Sequence, residues 1–286
     1  MGINKKSDMK RVLVPVDFSR DSMNALNAAI SVANKIESDI RFIHVRKNKD
    51  YDEPFVIEGK EQDYGQTVEE FCGQIVREYR KKLKKGNMDY VIRHGKIYKG
   101  IIEQARHDRS GLIMMGTHGV SGFEEFWLGS NAYRVVSKAP CPVITVRHGF
   151  KRKKFGKILL PIDFKRDTRQ KIPFTTELAR LLNAEVHVVD FRSTDRTDIK
   201  IRLKKYADQA YDYVTGHGVK AVRSSKKGGD IPETIISYAV HEDIDLISIV
   251  TFERGTPANM ALSTNAQLMV NHSPIPILSI HPSTRK

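Results

Sequence analysis

The chain aligns with itself, and this constrains its fold more than any other feature. Arg11-Val-Leu-Val-Pro-Val-Asp-Phe-Ser-Arg-Asp21 matches Lys157-Ile-Leu-Leu-Pro-Ile-Asp-Phe-Lys-Arg-Asp167, and the register continues without a gap to Arg46 and Arg192. Apolar positions stay apolar: Ile36 pairs with Leu182, Ile40 with Val186, Phe42 with Val188. A second register covers the remainder. Gly95 falls on Gly229, Ile97 on Ile231, Ala105 on Ala239, Trp127-Leu-Gly-Ser-Asn-Ala132 on Ala261-Leu-Ser-Thr-Asn-Ala266, and Pro140-Cys-Pro-Val143 on Pro274-Ile-Pro-Ile277. The shift between the registers assigns the first half a longer middle, near the polar stretch 51–66 with Pro54, Gly59 and Gly65. Repeats of this length, in a chain of 286 residues, predict two tandem domains, 1–149 and 150–286.

Each half alternates strand and helix patterns. In the first, Val12–Val16 is a continuous apolar run of the kind buried on both faces of a parallel sheet. Ser19 or Asp21 can cap the helix that follows, whose stripe is Met23, Leu26, Ala29, Ile30 and Ala33. Strands are predicted at Ile40–Val45, Tyr90–Arg93, Leu112–Met115 and Val143–Arg147. Helices are predicted along Val68, Phe71, Ile75, Tyr79 and Leu83, around Ile101–Ala105, and around Ser130–Ser137. The order βαβαβαβαβ predicts an α/β fold: two tandem domains, each a five-stranded parallel-type sheet with helices on both faces. Ligands of such sheets sit at the carboxyl ends of the strands, so the residues just after strands carry the information.

Composition excludes some classes. No apolar run reaches the roughly 18 residues of a membrane helix. The opening Met1-Gly-Ile-Asn-Lys-Lys-Ser-Asp has no apolar segment of a secretory signal, and Lys6 breaks the myristoylation pattern. Cys72 and Cys141 stand in no CxxC or Cys/His cluster and read as reduced cytosolic thiols, with a disulfide between them left open. The net charge of +14 includes runs at 80–85 and 151–154. The first reads as the basic end of a helix and the second as a linker. Neither is interleaved with aromatics, so nucleic-acid binding rests on charge alone.

After the fourth strand comes Met115-Gly116-Thr-His-Gly119, then a loop, then Gly129-Ser130 opening a helix. Phosphate needs such an arrangement: backbone free of Cβ near the oxygens, several N–H donors, and a helix N-terminus. A glycine-rich turn before a helix is common, and it is the position after a parallel strand that favours the functional reading. The spacing Gly-x-x-Gly-(nine residues)-Gly-Ser resembles the ATP-binding universal stress protein family, as do Pro15-Val-Asp17-Phe-Ser, His44-Val45, Gly95-Lys-Ile97 and Pro140-Cys-Pro-Val. The resemblance covers nearly the whole chain, twice, and implies a fold like the adenine nucleotide alpha hydrolases. It implies that Asp17 would bond the ribose and that Val16, Val45 and Met115 would border the adenine. Gly116, Gly119, Gly129, Ser130 and Asn131 would wrap the phosphates, with Mg²⁺ held mainly by those phosphates. Asp17 also reads as a helix cap, and His118 as an exposed loop residue rather than an acid or base.

The second half departs from that pattern. Gly116 becomes Val250, Gly119 becomes Glu253 and Gly129 becomes Ser263, while Asp163 and Thr264 persist. A β-branched side chain and a carboxylate against phosphate predict a domain that keeps the fold and a vestigial pocket without ATP. A P-loop, a GxGxxG after the first strand, an HExxH helix and the signatures of pyrophosphatase and synthetase relatives are missing from the sequence. The expectation is therefore a cytoplasmic adenine-nucleotide-binding stress or regulatory protein, without an assignable base for ATP turnover. The alternative is a non-nucleotide interaction scaffold of the same fold. Family members commonly pair through the last strand, which implies pairing through Val143–Arg147 and Ile277–Ile280, as a pseudo-dimer within one chain or as a homodimer.

Overall fold

The computed structural model describes residues 9–46, 56–57, 60–61, 67–117, 129–147, 150, 154–165, 167–252 and 262–281. The chain divides into two compact units, Lys6–Lys153 and Lys154–Lys286. In the first, β1 (Arg11–Pro15), α1 (Arg20–Ile36) and β2 (Asp39–Arg46) come in succession. A small antiparallel pair follows in the longer middle, β3 (Val56–Ile57) with β4 (Lys60–Glu61). The unit continues with α2 (Val68–Arg80), β5 (Met88–His94), α3 (Ile97–His107), β6 (Leu112–Gly116), α4 (Ser130–Lys138) and β7 (Val143–Val146).

Its five main strands form a parallel sheet in the order β7-β6-β1-β2-β5. The apolar run of β1 is the reason for its central place: Val12, Leu13 and Val14 are each 0% exposed, with Val12 beside Ile40 on one side and Leu112 on the other. Right-handed crossovers from β1 to β2 to β5 run one way along the sheet, and those from β5 to β6 to β7 run the other. They thus set α1 and α2 on one face and α3 and α4 on the opposite face. The direction reverses between β1 and β6, which makes the carboxyl ends of those two strands the switch point.

Helix ends follow from local chemistry. Ser19, not Asp21, caps α1, its Oγ accepting from the Ser22 N–H at 3.3 Å. Glu37 ends that helix in the left-handed region at φ 58°, its N–H turned back to Ala33 O. Thr67 and Glu70 close a reciprocal capping box on α2. The buried face of α2 is Val68, Cys72 and Ile75; Phe71 and Tyr79 are only half buried, and Leu83 packs from beyond the helix end. Gly86 lies at φ +79°, and a Cβ there would meet Ser38 O at 2.6 Å, so only glycine fits the turn into β5.

The second unit repeats the plan with β8 (Lys157–Ile162), a 3₁₀ turn at Asp167–Lys171, α5 (Ile172–Leu182), β9 (Glu185–Arg192), α6 (Thr197–Gly216), β10 (Ala221–Lys227), α7 (Ile231–His241), β11 (Leu246–Val250), α8 (Thr264–His272) and β12 (Ile277–Ile280). The strands are parallel, in the order β10-β9-β8-β11-β12, with the switch point between β8 and β11. Asn183 ends α5 at φ 54°, the same left-handed stop that Glu37 makes.

Cys72 and Cys141 are both free, and burial pushes both thiols up to about 12. The thiolate is the reactive form, so each is a poor nucleophile at neutral pH. Iodoacetamide labelling at pH 8, followed by mass spectrometry, is expected to leave Cys72 unmodified in the folded chain and to label it fully in urea.

Candidate functional site

The switch point of the first unit is held by contacts between four segments. The Val16 N–H donates to Ile43 O at 2.8 Å, and the His44 Nδ1–H donates to Val16 O at 2.8 Å, so the end of β1 is tied to β2 by backbone and side chain. Asp17 follows, half buried. Its Oδ1 accepts from the Ser19 N–H at 3.1 Å and the Ser19 hydroxyl at 2.6 Å, while its own N–H donates to Ser22 Oγ at 3.3 Å. Asp17 is therefore not the helix cap but the group that orients the cap.

Phe18 adopts φ 64°, a left-handed conformation that costs a bulky L-residue roughly 1–2 kcal/mol. Ring packing offsets it: Phe18 is 1% exposed, stacks on His44 at 4.5 Å and meets Phe71 edge-on at 4.9 Å. Val45, the next residue of β2, is half buried and lies against Gly100, where a Cβ would stand 3.1 Å from a Val45 methyl.

On the other side of the switch point, Met115 is 5% exposed and Gly116 ends β6. A Cβ on Gly116 would lie 3.0–3.1 Å from the backbone and Cβ of Asp21 in the first turn of α1. Close strand-to-helix approach is thus a reason for glycine here that the sequence reading did not contain. Thr117 donates its N–H to Val146 O at 3.1 Å and accepts from the Gly129 N–H at 2.9 Å, which brings the start of α4 onto the end of β6. Gly129 makes no side-chain cap for α4. Ser130 is exposed and Asn131 half buried at that helix start. Arg147 follows β7; burial holds its guanidinium below the ordinary range, against the opposing pull of Asp21.

Of the residues named from sequence, Val16, Asp17, Val45, Met115, Gly116, Gly129, Ser130 and Asn131 therefore lie at one end of one sheet. Gly119 and His118 fall outside the described residues, as does Glu253 in the second unit. Sequence reasoning named Ser19 as a candidate helix cap, without its bond to Asp17, and missed Phe18 and Arg147, which depend on tertiary packing. No group of three or more His, Cys, Asp or Glu that could hold a metal occurs among the described residues.

The second unit builds the same place differently. Asp163 again accepts from its own loop, from the Lys165 N–H at 2.8 Å and from the Thr168 hydroxyl. Phe164 has no left-handed backbone and is 49% exposed, because Asp190 stands where His44 offers its ring to Phe18. Val250 replaces Gly116, and the residues matching the first turn of α1 form the 3₁₀ turn Asp167–Lys171 instead. Pro173, near the start of α5, also lacks the N–H that a longer helix would need. Ser263 replaces Gly129, keeps the bond to its strand through Thr251 O at 2.8 Å, and caps α8 by accepting from the Ala266 N–H at 3.3 Å.

His44 carries a pH signature. Burial lowers its pKa from the ordinary 6.5, against the raising effect of the Val16 carbonyl and Asp17. Between that lowered value and 6.5 the unfolded chain binds a proton that the folded chain refuses, so stability falls as pH drops below 6.5. Urea unfolding between about pH 5 and 7.5 is expected to give a steeper loss for the native protein than for His44→Gln.

The universal stress protein family profile matches the chain twice, over residues 9–147 and 154–281. A universal stress protein of Methanocaldococcus jannaschii is 31% identical over 150 residues, 50% of this chain and 85% of that protein. Universal stress protein YxiE of Bacillus subtilis is 27% identical over 150 residues, 48% of this chain and 98% of that protein. A crystal structure of a universal stress protein from Archaeoglobus fulgidus covers 96% of this chain and 97% of its own, with a TM-score of 0.71; at 17% identity this likeness shows the fold alone. With its profile matched over both halves, the chain belongs to the universal stress protein family, as a tandem two-domain member.

Proposed function

We propose that the first unit binds an adenine nucleotide, ATP with Mg²⁺, in a regulatory or stress-response role, and that the second unit does not. The observation that carries this reading is the difference between two helix starts. In the second unit the serine at position 263 satisfies an N-terminal N–H of α8 itself. In the first, Gly129 leaves the start of α4 without a side-chain cap, beside the Gly116 strand end. Such a terminus favours an anion by about 0.3–1 kcal/mol, and up to ~2 kcal/mol when partly buried. Asp17 stands across the switch point with one carboxylate oxygen engaged by Ser19, a disposition suited to ribose hydroxyls. Val16 and Met115 are buried and apolar beside it, fitting a base. The residues thus suit a nucleotide, and a divalent ion would ride on its phosphates.

The edges of the two sheets enter the same proposal. The strands β7 and β12 each stand last in the order of their own unit, and pairing of these strands, within one chain or between two, would cover backbone that proteins seldom leave open. No helix among the described residues is long and apolar enough to cross a membrane.

Two substitutions at one position test the nucleotide reading by calorimetric titration of Mg-ATP into the full chain. The native protein is expected to bind one nucleotide per chain. A charge of like sign about 4 Å away costs about 4 kcal/mol at an effective dielectric of ~20, so Gly129→Glu should abolish measurable binding. Gly129→Ser copies the second unit: its thermal midpoint should hold or rise through the new cap, while affinity for ATP drops about tenfold. Two nucleotides per chain would overturn the assignment of the second unit, and no binding by the native protein would favour an interaction scaffold of this fold.

A further inference from the structure

In a parallel sheet each helix returns the chain to the amino end of the next strand, so the helices of a unit all finish at one end, opposite the switch point. In the first unit every one of them has cations in its last turn: Lys35 on α1, Arg77 and Arg80 on α2, Arg106 and His107 on α3, Lys138 on α4. The macrodipole accounts for a cation or two at each helix end. It does not account for the run at 80–85, because α2 stops at Arg80 and Lys81, Lys82, Lys84 and Lys85 lie in the turn beyond it. Folding does not require these lysines either. The corresponding turn of the second unit is Gly216-His-Gly-Val219, α6 has no cation in its last turn, and Val214 and Val219 fill the interior.

The lysine turn is held firmly. Leu83 is buried beneath it, and Asn34 of α1 clamps the backbone on both sides. The Asn34 Nδ2 donates to Lys82 O at 2.9 Å, and its Oδ1 accepts from the Lys84 N–H at 2.6 Å. Only side-chain freedom is therefore lost when these lysines engage a partner. Lys85 is neutralised by Glu37, while Asp39, Asp89 and Asp108 at the same end are matched by Arg11 and Arg41. Lys35, Lys81, Lys82 and Lys84 remain exposed, with no ion pair among the described residues.

Two observations narrow the partner. The large hydrophobic side chains exposed among the described residues all belong to the second unit, so none stands beside these lysines. A protein interface has an apolar core, and a peripheral membrane surface gains much of its hold from inserted apolar area. Tyr79 is half buried, with the Lys82 ammonium 3.8 Å from its ring centroid, which leaves the bases of a single strand no open ring to stack on. The partner that needs neither apolar contact nor stacking is a duplex backbone, bound through its phosphates without regard to sequence. We propose that Lys81, Lys82 and Lys84, with Lys35 beside them, form a docking surface for the phosphate backbone of a double-stranded nucleic acid. The surface lies at the opposite end of the unit from the nucleotide site argued above and does not depend on it.

The test titrates the full chain into labelled DNA and RNA duplexes of arbitrary sequence, read by fluorescence anisotropy between about 50 and 200 mM salt. Saturable binding is expected, with a log–log salt slope for DNA of about −3 to −4 if four phosphates are neutralised, and the tighter duplex identifies the source of the backbone. Replacing Lys81, Lys82 and Lys84 together by Gln should weaken binding at least about tenfold at the lower salt and reduce the slope by about 3, with cooperative thermal unfolding retained. Replacing the exposed Lys200, Lys204 and Lys205 of α6 by Gln removes the same charge elsewhere and should cost far less. Gly129→Glu should bind duplex as the native protein does, so loss of the nucleotide reading would leave this one standing. Absent or salt-insensitive binding, an equal loss in the α6 variant, or equally tight binding to phosphatidylserine vesicles or to a single strand would each overturn the proposal.

Discussion

The approach of the β6 strand end to the first turn of α1 is the contact on which the rest of the first unit depends. Gly116 lets backbone meet backbone there, with a Cβ position only 3.0–3.1 Å from Asp21. Because the helix can begin this early, Ser19 caps it and Asp17 is held by the cap. Because the strand ends flush with the helix, Thr117 can take the Gly129 N–H and seat α4 at the same end of the sheet. In the second unit the same position carries Val250, and a 3₁₀ turn at Asp167–Lys171 stands in place of the first helical turn.

Two halves of one ancestry therefore give a comparison in which fold is constant and the site varies. Strand order, the left-handed helix stops at Glu37 and Asn183, and the position of the switch point are shared. Those features rest on apolar strand interiors and right-handed crossovers, which tolerate exchange of one aliphatic residue for another. What differs sits in the loops at the carboxyl ends, where single atoms decide whether backbone donors face solvent or a neighbouring side chain.

Much of this was legible in the residues. The repeat, the alternation of elements and the burial of Val12–Val14 follow from patterns of period 2 and 3.6 that tertiary packing reinforces. The loss of glycines in the second half pointed to a changed pocket. Less was visible where a residue's conformation depends on a distant partner. The dipeptides Asp17-Phe18 and Asp163-Phe164 are identical, yet one phenylalanine is buried at φ 64° and the other is half exposed, because the partner ring comes from β2 at His44 and is Asp190 in the copy. Cys72 on the α2 face, the burial of Lys171 and the short β3–β4 pair were likewise set by packing or by turn geometry rather than by periodicity.

The contrast between Gly129 and Ser263 also bears on how such tandem chains diverge. Glycine and serine codons can differ by a single base, and the serine adds a helix cap that raises stability. After duplication, a copy relieved of ligand binding has a short mutational route that is downhill in folding free energy. The reverse step forfeits the cap before any ligand compensates for it. Were the second copy relieved of ligand binding, as proposed above, its return would thus be opposed by the cap at its own helix start.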